Sequence, residues 1–348
     1  MLKTTLSPVQ CEKLTGKLLE KMGISRTNAN KMAWVYKVMT LRGVGHHDIN
    51  SLPWELSRLE NGVTNPKPKV KLVKDRRAVA VLDGDNGPGP LVAYTMTQRA
   101  ITKAKKYGLG MVSARNSNHF IGAAAYSLLA AEQGMLGIAT SNTDNVMGAH
   151  GSADRAIGNN PWGFAVQTGA GFPLLLDICN AFASYGKLHD YRKKGWQVPK
   201  EWGLDSQGRN TTDPGKILDG GVPLPMVGHK GFGLSILMEI FTSVLSGGAI
   251  TDEISLVSTK NNGFSHAALV IDPAFFMSPR AFKGRMKKLV TYLKGHPPLK
   301  KGQPVVLPGE RSYKSAQELM RTGIRLRPDT RKSLQEWMVK LGVTVRSG

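Results

Sequence analysis

Residues 78–89 read Ala78-Val-Ala-Val-Leu82-Asp83-Gly84-Asp-Asn-Gly87-Pro-Gly89, and this stretch decides what kind of α/β fold the chain adopts. The apolar run up to Leu82 predicts a β-strand, and the turn that follows is rich in glycine. A helical pattern from Leu91 to Tyr107 and a second strand at 111–114 come next. Strand, glycine-rich turn, helix and strand is also the order of a Rossmann dinucleotide-binding unit.

The spacing of the glycines argues against that motif. They fall at positions 84, 87 and 89, which is not the G-x-G-x-x-G pattern. No acidic residue ends the second strand, where the ribose of a dinucleotide would be held. We therefore predict a different α/β fold, in which the turn needs glycine for its backbone angles.

Upstream of this stretch, three helical patterns begin at Ser7-Pro8, Ser25 and Leu52. The loop between the second and third helices lies within Leu41–Pro53 and contains His46-His47-Asp48. Imidazole is the side chain best suited to moving a proton near pH 7, so this loop is a candidate for catalysis. The alternative is a solvated loop that only happens to contain histidines.

Downstream, polar residues follow two further predicted strands. Asn116-Ser-Asn-His119 lies between a strand and a helix start, and Asn142-Thr143-Asp144 follows the strand 136–141. Ligand sites of open α/β sheets lie at such strand ends, although a single histidine there is more often structural. Lys230 begins the glycine-lined start of an apolar helix, which suits a bound phosphate. This segment lacks the pattern of a Walker P-loop.

The composition limits the class of protein. The chain of 348 residues is long enough for two or three domains, and it has no apolar run that could span a membrane. Its first residues, 1–8, lack the apolar core of a signal peptide. Two cysteines, Cys11 and Cys179, are too few for a disulfide framework or a cysteine-based metal site. We therefore expect a cytoplasmic protein without a bound metal.

The net charge of +22 raises the possibility of a nucleic-acid-binding protein. From Arg280 to Gly348 there are 17 Lys or Arg residues against four Asp or Glu residues. These charges are spread through amphipathic helical patterns, with no basic tail, zinc-finger spacing or ribonucleoprotein motif. A chain that handles small anionic molecules is the better interpretation, and we expect no nucleic-acid or membrane partner.

Eleven short motifs follow one another along the chain: Leu41-Arg-Gly43, Leu52-Pro53, Leu59-Glu-Asn-Gly62, Leu82-Asp-Gly84, Asn116-Ser-Asn-His119, Gly158-Asn-Asn-Pro161, Leu176-Asp177, Gly186-Lys187, Thr211-Thr-Asp-Pro214, His229-Lys-Gly-Phe-Gly233 and Pro308-Gly-Glu310. Each motif alone is weak evidence, whereas the ordered set is strong. Their order resembles the malate/L-lactate dehydrogenase family of the second type. That family is unrelated in fold to the Rossmann lactate dehydrogenases, and it includes sulfolactate, ureidoglycolate and piperideine-carboxylate oxidoreductases and a diketogulonate reductase.

The resemblance implies a reversible hydride transfer between NAD or NADP and C2 of a small 2-oxo or 2-hydroxy acid, or of a cyclic imino acid. It implies a homodimer and a mixed-sheet, non-Rossmann nicotinamide-binding α/β domain packed on helical segments from both chain ends. We assign residues 1–75 to an N-terminal helical segment carrying the His46-His47 loop. We assign 116–294 to the nicotinamide-binding domain, and 76–115 with 295–348 to a dimerisation and substrate region.

The resemblance also implies roles for individual residues. His47 matches the acid/base histidine, His119 the second histidine of the pocket, and Asp144 an acidic residue beside it. The implied substrate contacts are His46, Asp48, Ser51 and Asn118. The implied cofactor contacts are Thr143, Leu175, Leu176, Asp177, Ile178, Cys179, Asn180, Ala181, Lys187, His229, Lys230, Pro308, Gly309 and Glu310.

The first motif departs from the family pattern. Members typically have Ser-His-Gly followed by an arginine three residues after the glycine, and here His46-His47-Asp48 is followed by Ser51. The family arginine is the expected clamp for the substrate carboxylate, and serine cannot replace its paired donors. The departure leaves three alternatives: an unusual substrate, a clamp from elsewhere in the chain, or a family-shaped binding or structural protein without turnover.

Overall fold

The computed structural model describes residues 2–255 and 263–344, and the elements below are those found in these ranges. Serine caps open several helices, as Ser7 does for the first and Ser25 for the second. The helices are α1 (Pro8–Lys21), α2 (Arg26–Leu41), α3 (Leu52–Glu60), α4 (Gly89–Tyr107), α5 (Ala123–Ala131), α6 (Tyr185–Lys193), α7 (Pro214–Leu218), α8 (His229–Glu239), α9 (Pro279–Lys294), α10 (Glu310–Thr322) and α11 (Pro328–Lys340).

The strands form one large sheet and three small two-stranded pairs. They are β1 (Thr5–Leu6), β2 (Lys71–Arg76), β3 (Val79–Asp83), β4 (Leu109–Ser117), β5 (Leu136–Ser141), β6 (Met147–Gly148), β7 (Arg155–Ile157), β8 (Trp162–Gln167), β9 (Pro173–Ile178), β10 (Gly203–Leu204), β11 (Val222–Pro223), β12 (Phe264–Ile271) and β13 (Ile324–Arg325). The large sheet has seven strands in the order β2-β3-β4-β12-β5-β8-β9.

The pairing directions in this sheet bring four strand ends to one edge. Strands β3 and β4 pair in parallel, and the other neighbouring pairs described are antiparallel. Because β12 separates β4 from β5, and β8 separates β5 from β9, the strands β3, β4, β5 and β9 all run in the same direction. Their carboxyl ends therefore share an edge, where His119, Thr143 and Asp177 follow or end β4, β5 and β9.

Both ends of the chain pack onto this unit as helical segments. Strand β1 pairs with β13 through Leu6 and Ile324, which ties the N-terminal helices to the C-terminal ones. A single apolar core runs from α1, α2 and α3 through α4 and α5 to the sheet, and it includes Leu334 of α11. The mixed-sheet α/β fold predicted from the sequence is confirmed. No helix in the described ranges is long and apolar enough to cross a membrane.

The glycine-rich turn at 84–89 corrects one expectation. The positive φ angles fall on Asp85 (53°) and Asn86 (51°), and Gly84, Gly87 and Gly89 have ordinary φ angles. Glycine is required here for close packing, since a Cβ on Gly89 would lie 2.2 Å from the carbonyl oxygens of Asn118 and His119. The start of α4 is thus pressed against the backbone that leads into His119.

The sequence patterns did not predict every element, and β2 and α6 are two examples. The sequence patterns above predict no strand at 71–76, where β2 forms an edge strand whose residues are all exposed. They also predict no helix at 185–193, where Leu188 is the single buried residue of α6 and leaves no clear apolar pattern. The division into regions at 75, 115 and 294 stays a prediction.

Candidate active site

The loop between α2 and α3 is held in shape by Asp48. Its carboxylate accepts hydrogen bonds from the amides of Gly45 and Asn50 (both 2.9 Å) and from the Asn50 side chain (2.7 Å). The Ser51 hydroxyl donates to the carbonyl of Asp48 at 2.7 Å. Asp48 and Ser51, expected to contact the substrate, therefore hold together the loop that carries the histidines.

This loop and the end of β4 bring three imidazole rings together. The centroids of His46 and His47 are 4.3 Å apart, and those of His47 and His119 are 5.0 Å apart in an edge-to-face arrangement. The Trp54 ring borders His119 at 5.6 Å. The other side of His46 faces α6, where the Ser184 hydroxyl lies 3.4 Å from Nε2. The candidate catalytic residues His47 and His119 are thus neighbours.

Asn118 and Arg58 fix the backbone before His119. The Arg58 guanidinium donates to the Asn118 side-chain oxygen at 2.6 Å and stacks over Trp54 at 4.6 Å. The Asn118 amide donates to the carbonyls of Asn86 and Gly87, both at 2.9 Å. Sequence reasoning missed Trp54 and Arg58, although their i, i+4 spacing at the start of the helix after the histidine loop was visible.

The surroundings keep these imidazoles neutral. Loss of hydration in the protein lowers the pKa of His47 well below 6.5, and the nearby His119 and His46 rings lower it further. Loss of hydration, with the charge of Arg58, lowers the pKa of His119 to about 4. Desolvation also lowers the pKa of His46, against the opposing effect of Asp48. At neutral pH each ring therefore keeps one unprotonated nitrogen.

A fourth histidine supports the cluster from the core. His266 of β12 is fully buried, and its two nitrogens each lie 2.9 Å from a serine hydroxyl, Ser141 and Ser117. Its ring stacks on Phe120, the residue after His119, with 5.1 Å between centroids. Burial lowers the pKa of His266 to about 3, so it stays uncharged. The sequence signal that could have identified His266 as a buried residue is its position in an otherwise apolar strand.

Asp144 lies in a different environment from the one expected. Burial raises its pKa, opposed by a backbone hydrogen bond and by Arg155. Arg155 in turn lies over the Tyr185 ring at 5.5 Å. Tyr185 precedes Gly186, where a Cβ would lie 2.7 Å from the His46 ring. Asp144 therefore connects to the imidazoles through intermediate residues, and its direct participation in catalysis stays a prediction.

Hydrogen bonds join the segments after β5 and β9, which were expected to contact the cofactor, into one continuous surface. The Thr143 amide donates to the Asn160 side chain at 3.0 Å, and the Asn180 side chain donates to the Asn160 carbonyl at 2.8 Å. The Met226 amide donates to the Asn180 carbonyl, while Ala181 forms a bridge with Pro225 just before α8. Buried asparagines thus join the ends of two strands to the start of a helix.

The segments 175–181 and 308–310 also meet. The Leu175 amide of edge strand β9 donates to the Pro308 carbonyl at 3.2 Å. Gly309 has φ +98°, and a Cβ there would lie 2.5 Å from the Pro173 carbonyl. The Asp177 carboxylate accepts from the Ala124 amide at the start of α5. Leu176 and Ile178 lie in the same strand end, and Cys179 follows it. Glu310 is paired with Lys294.

The N-terminus of α8 is rich in cationic and imidazole side chains. His229 and Lys230 are its first two residues, and both are exposed. The His150 ring approaches the His229 ring at 5.9 Å. Lys187, another expected cofactor contact, lies over the Trp202 ring at 4.7 Å. In the described part of the chain, no group of three or more His, Cys, Asp or Glu side chains is arranged to hold a metal ion.

Comparison with known proteins agrees with this architecture. Residues 6–335 match the family model described as malate/L-lactate dehydrogenase. The chain is 33% identical over 349 residues to the L-sulfolactate dehydrogenase of Methanocaldococcus jannaschii, with 98% of each chain covered. It is 32% identical over 337 residues to a malate dehydrogenase of Pyrococcus abyssi, covering 94% of this chain and 92% of that protein. The crystal structure of malate dehydrogenase from Entamoeba histolytica is similar with a TM-score of 0.94 and 27% identity, covering 99% of each chain.

A mixed sheet with imidazoles at its carboxyl edge, together with these matches, defines an oxidoreductase of small hydroxy or oxo acids. The chain belongs to the malate/L-lactate dehydrogenase family, and the resemblance inferred from the ordered motifs is confirmed.

Proposed function

We propose that this protein transfers a hydride between NAD(P)H and C2 of a small 2-oxo acid, 2-hydroxy acid or cyclic imino acid, with His47 exchanging the accompanying proton. The observation that carries the proposal is the position of His47 between His46 and His119, within 5.0 Å of both rings. Hydride arrival at carbon requires a proton at the oxygen or nitrogen, and imidazole supplies or removes it near neutral pH.

Because its pKa is lowered, His47 is neutral at pH 7 before substrate binds. A neutral imidazole is the form that removes the hydroxyl proton when a 2-hydroxy acid is oxidised. For reduction, His47 must first take up a proton, and an anionic substrate beside the ring would raise its pKa toward that form. The same residue thus serves both directions.

His119 is proposed to donate a hydrogen bond to the substrate oxygen. The Ile121 amide donates to His119 Nδ1 at 3.4 Å, which favours the tautomer with its proton on Nε2. Asn118, held by Arg58 and the turn at 86–87, keeps this ring beside His47. A fixed donor at the reacting oxygen stabilises negative charge that develops there during hydride transfer.

Residues at the carboxyl edge of the sheet and along edge strand β9 would hold a nicotinamide dinucleotide. Lys230 and His229 at the start of α8 would hold the pyrophosphate, because a helix N-terminus favours anions and a lysine adds charge. Thr143, the segment 175–181, Lys187 and the turn 308–310 would line the remainder. When bound, the nicotinamide supplies or accepts the hydride, while this chain's residues orient the substrate and move the proton.

We also propose a homodimer. Beyond α8 the helix continues as a π-helical turn, Ile240–Val244. These two elements and the next residue expose a row of apolar side chains: Ile236, Leu237, Ile240, Val244 and Leu245. An apolar patch of this kind is typical of a surface that another chain covers. Free Cys11 and Cys179 are consistent with the cytoplasmic location that we propose.

The test is a titration of the purified protein with NADH and NADPH, followed by nicotinamide fluorescence, and then addition of a panel of 2-oxo acids and cyclic imino acids. We expect saturable binding and oxidation of the cofactor with at least one substrate. Lys230→Ala should weaken binding about tenfold, the scale of one charge-assisted contact. Binding without turnover for any substrate would contradict hydride transfer, and absence of cofactor binding would contradict the whole proposal.

A further inference from the structure

We propose that Arg327, at the start of α11, recognises the carboxylate group of the substrate. This assignment rests on the proposed function, because it concerns the same pocket and the anionic group of the same acids. This chain has Ser51 at the position of the family arginine. Arg327 would supply the positive charge that the substrate carboxylate then lacks.

A carboxylate that enters the pocket needs a permanent positive charge. The imidazoles of His46, His47 and His119 are neutral at pH 7. The Ser51 hydroxyl already donates to the Asp48 carbonyl. Removing a carboxylate from water is costly unless a charged donor compensates it, and guanidinium is the side chain that matches its two oxygens. An arginine at the rim of the histidine loop is therefore the group to look for.

Arg327 lies at that rim. A Cβ built on Gly45, the residue before His46, would be 3.3 Å from Arg327 Nη2. The positive charge of Arg327 also acts on the His46 ring and contributes to its lowered pKa. Helix α11 is fixed against the loop, because the Thr330 hydroxyl donates to the Asn50 side chain at 2.8 Å. The guanidinium therefore sits on a positioned element beside His46, whose ring neighbours that of His47.

The Arg327 side chain is also free to bind an anion. It is exposed, and across the ranges that the structure describes its guanidinium has no hydrogen-bond or ion-pair partner. Asp190 of α6, the carboxylate whose charge interacts with Arg327, is paired with Lys194 at 2.7 Å. A substrate carboxylate would thus add a partner to Arg327 without displacing one.

The other arginines around the pocket are engaged elsewhere. Arg58 holds Asn118 and stacks over Trp54. Arg155 donates to the Gly221 and Leu218 carbonyls and lies over Tyr185. Arg42 packs over Tyr313 of α10. These arginines would have to break structural contacts to bind a ligand. Arg327 is therefore the better candidate for binding the substrate carboxylate.

The experiment measures ligand binding without turnover. The full-length protein is saturated with NADH or NADPH and titrated by calorimetry with oxamate, L-lactate and L-malate, which the reduced cofactor cannot convert. Oxamide and L-lactamide serve as the matched neutral ligands. The variants are Arg327→Ala, Arg327→Lys and the control Arg331→Ala, one turn further along α11, where Arg331 contacts Thr4.

We expect Arg327→Ala to weaken binding of the best acid about 10- to 100-fold, the range for a hydrogen bond to a charged group, and to leave the neutral ligand unchanged. Arg327→Lys should recover part of this loss, because it restores the charge without the paired donors. Arg331→Ala should bind like the wild-type protein. A steady-state assay should show the loss for Arg327→Ala in KM more than in kcat.

Unchanged acid binding in Arg327→Ala would overturn the assignment. So would a wild-type protein that binds no acid, or that does not prefer acids to their neutral counterparts. Failure of the proposed function is a different result: the wild-type protein would bind acids through Arg327 and still oxidise no cofactor with any 2-oxo acid.

Discussion

The imidazole rings of His47 and His119 meet edge to face with 5.0 Å between their centroids, although one comes from a loop between helices and the other from the end of a strand. Protonating either ring disfavours a charge on the other, because like charges at this distance repel. Their titrations are therefore coupled, and the pair resists taking up a proton until a negative charge arrives. Proton uptake by this pair and binding of an anionic ligand are therefore linked.

The first prediction concerns pH. Because the pKa of His47 is lowered well below 6.5, kcat/KM for oxidation of a 2-hydroxy acid should stay level from pH 8 down to 6.5 and fall below that. For reduction, kcat/KM should rise as the pH falls from 8 to 6.5 and below, because reduction needs the protonated form of His47 and its fraction grows. A pH profile in both directions checks this.

The variant His119→Gln removes one of the causes that lower the pKa of His47. The pH at which the oxidation rate falls on the acid side should therefore rise toward 6.5. An oxidation profile that loses half its value at or above pH 6.5 in the wild-type protein would contradict the account.

The second prediction concerns Gly89. Its missing Cβ lets α4 press against the carbonyls of Asn118 and His119, so Gly89→Ala should destabilise the protein by about 1–3 kcal/mol, the usual cost of overpacking. It should also lower activity, because the backbone that leads into His119 must shift. The control is Gly284→Ala in α9, where a Cβ meets nothing within 4 Å.

For the control, alanine's better helix propensity predicts up to about 1 kcal/mol of added stability. Urea denaturation measures both changes. Equal stability for the two variants would show that the close approach at Gly89 has no energetic consequence.

The third prediction concerns Glu55, which is fully buried in α3. Among the described residues neither of its carboxylate oxygens has a hydrogen-bond partner, and burial raises its pKa to about 7, opposed by Arg58. The folded pKa is thus above the unfolded value. This group's contribution to stability is fully present below pH 4.5 and is lost as the pH rises through about 7.

We therefore expect Glu55→Gln to raise the free energy of unfolding at pH 8 by up to about 3 kcal/mol and to have a smaller effect at pH 5.5. The control Glu60→Gln, in the same helix, removes an exposed ion pair with Lys340 and should change stability by less than about 1 kcal/mol. Urea unfolding at the two pH values gives both numbers. An effect of Glu55→Gln that does not grow with pH would be inconsistent with a buried carboxylate that ionises.

Local patterns predicted much of this fold. Caps such as Ser7 and Ser25 placed the first helices, and the glycine spacing at 84–89 correctly excluded the Rossmann motif. The exposed strand β2 was missed because its stability comes from pairing with β3, which has no local signal. Similarly, Gly89 was expected to serve a turn angle, and its role emerged only from the backbone packed against it.

For the candidate site, the polar residues after β4 and β5 were expected to mark a ligand site, and the structure places both strand ends, with that of β9, at one edge of the sheet. The approach of Arg327 to Gly45 could not be predicted, since it depends on how α11 docks on a loop that lies far away in sequence. The hydrogen bonds by which Asp48 holds its own loop could not be predicted either. Both depend on tertiary contacts that the order of motifs does not contain.

The most direct test of the central claim is a single-turnover measurement of nicotinamide oxidation with wild-type protein and His47→Gln, both saturated with cofactor and the best 2-oxo acid. His296→Gln, whose exposed ring packs on Tyr292, is the control histidine. We predict that His47→Gln binds cofactor as the wild-type protein does, while the chemical step slows by about 10²- to 10⁴-fold, the range for loss of a general acid. An unchanged rate of hydride transfer in His47→Gln would contradict the role proposed for His47.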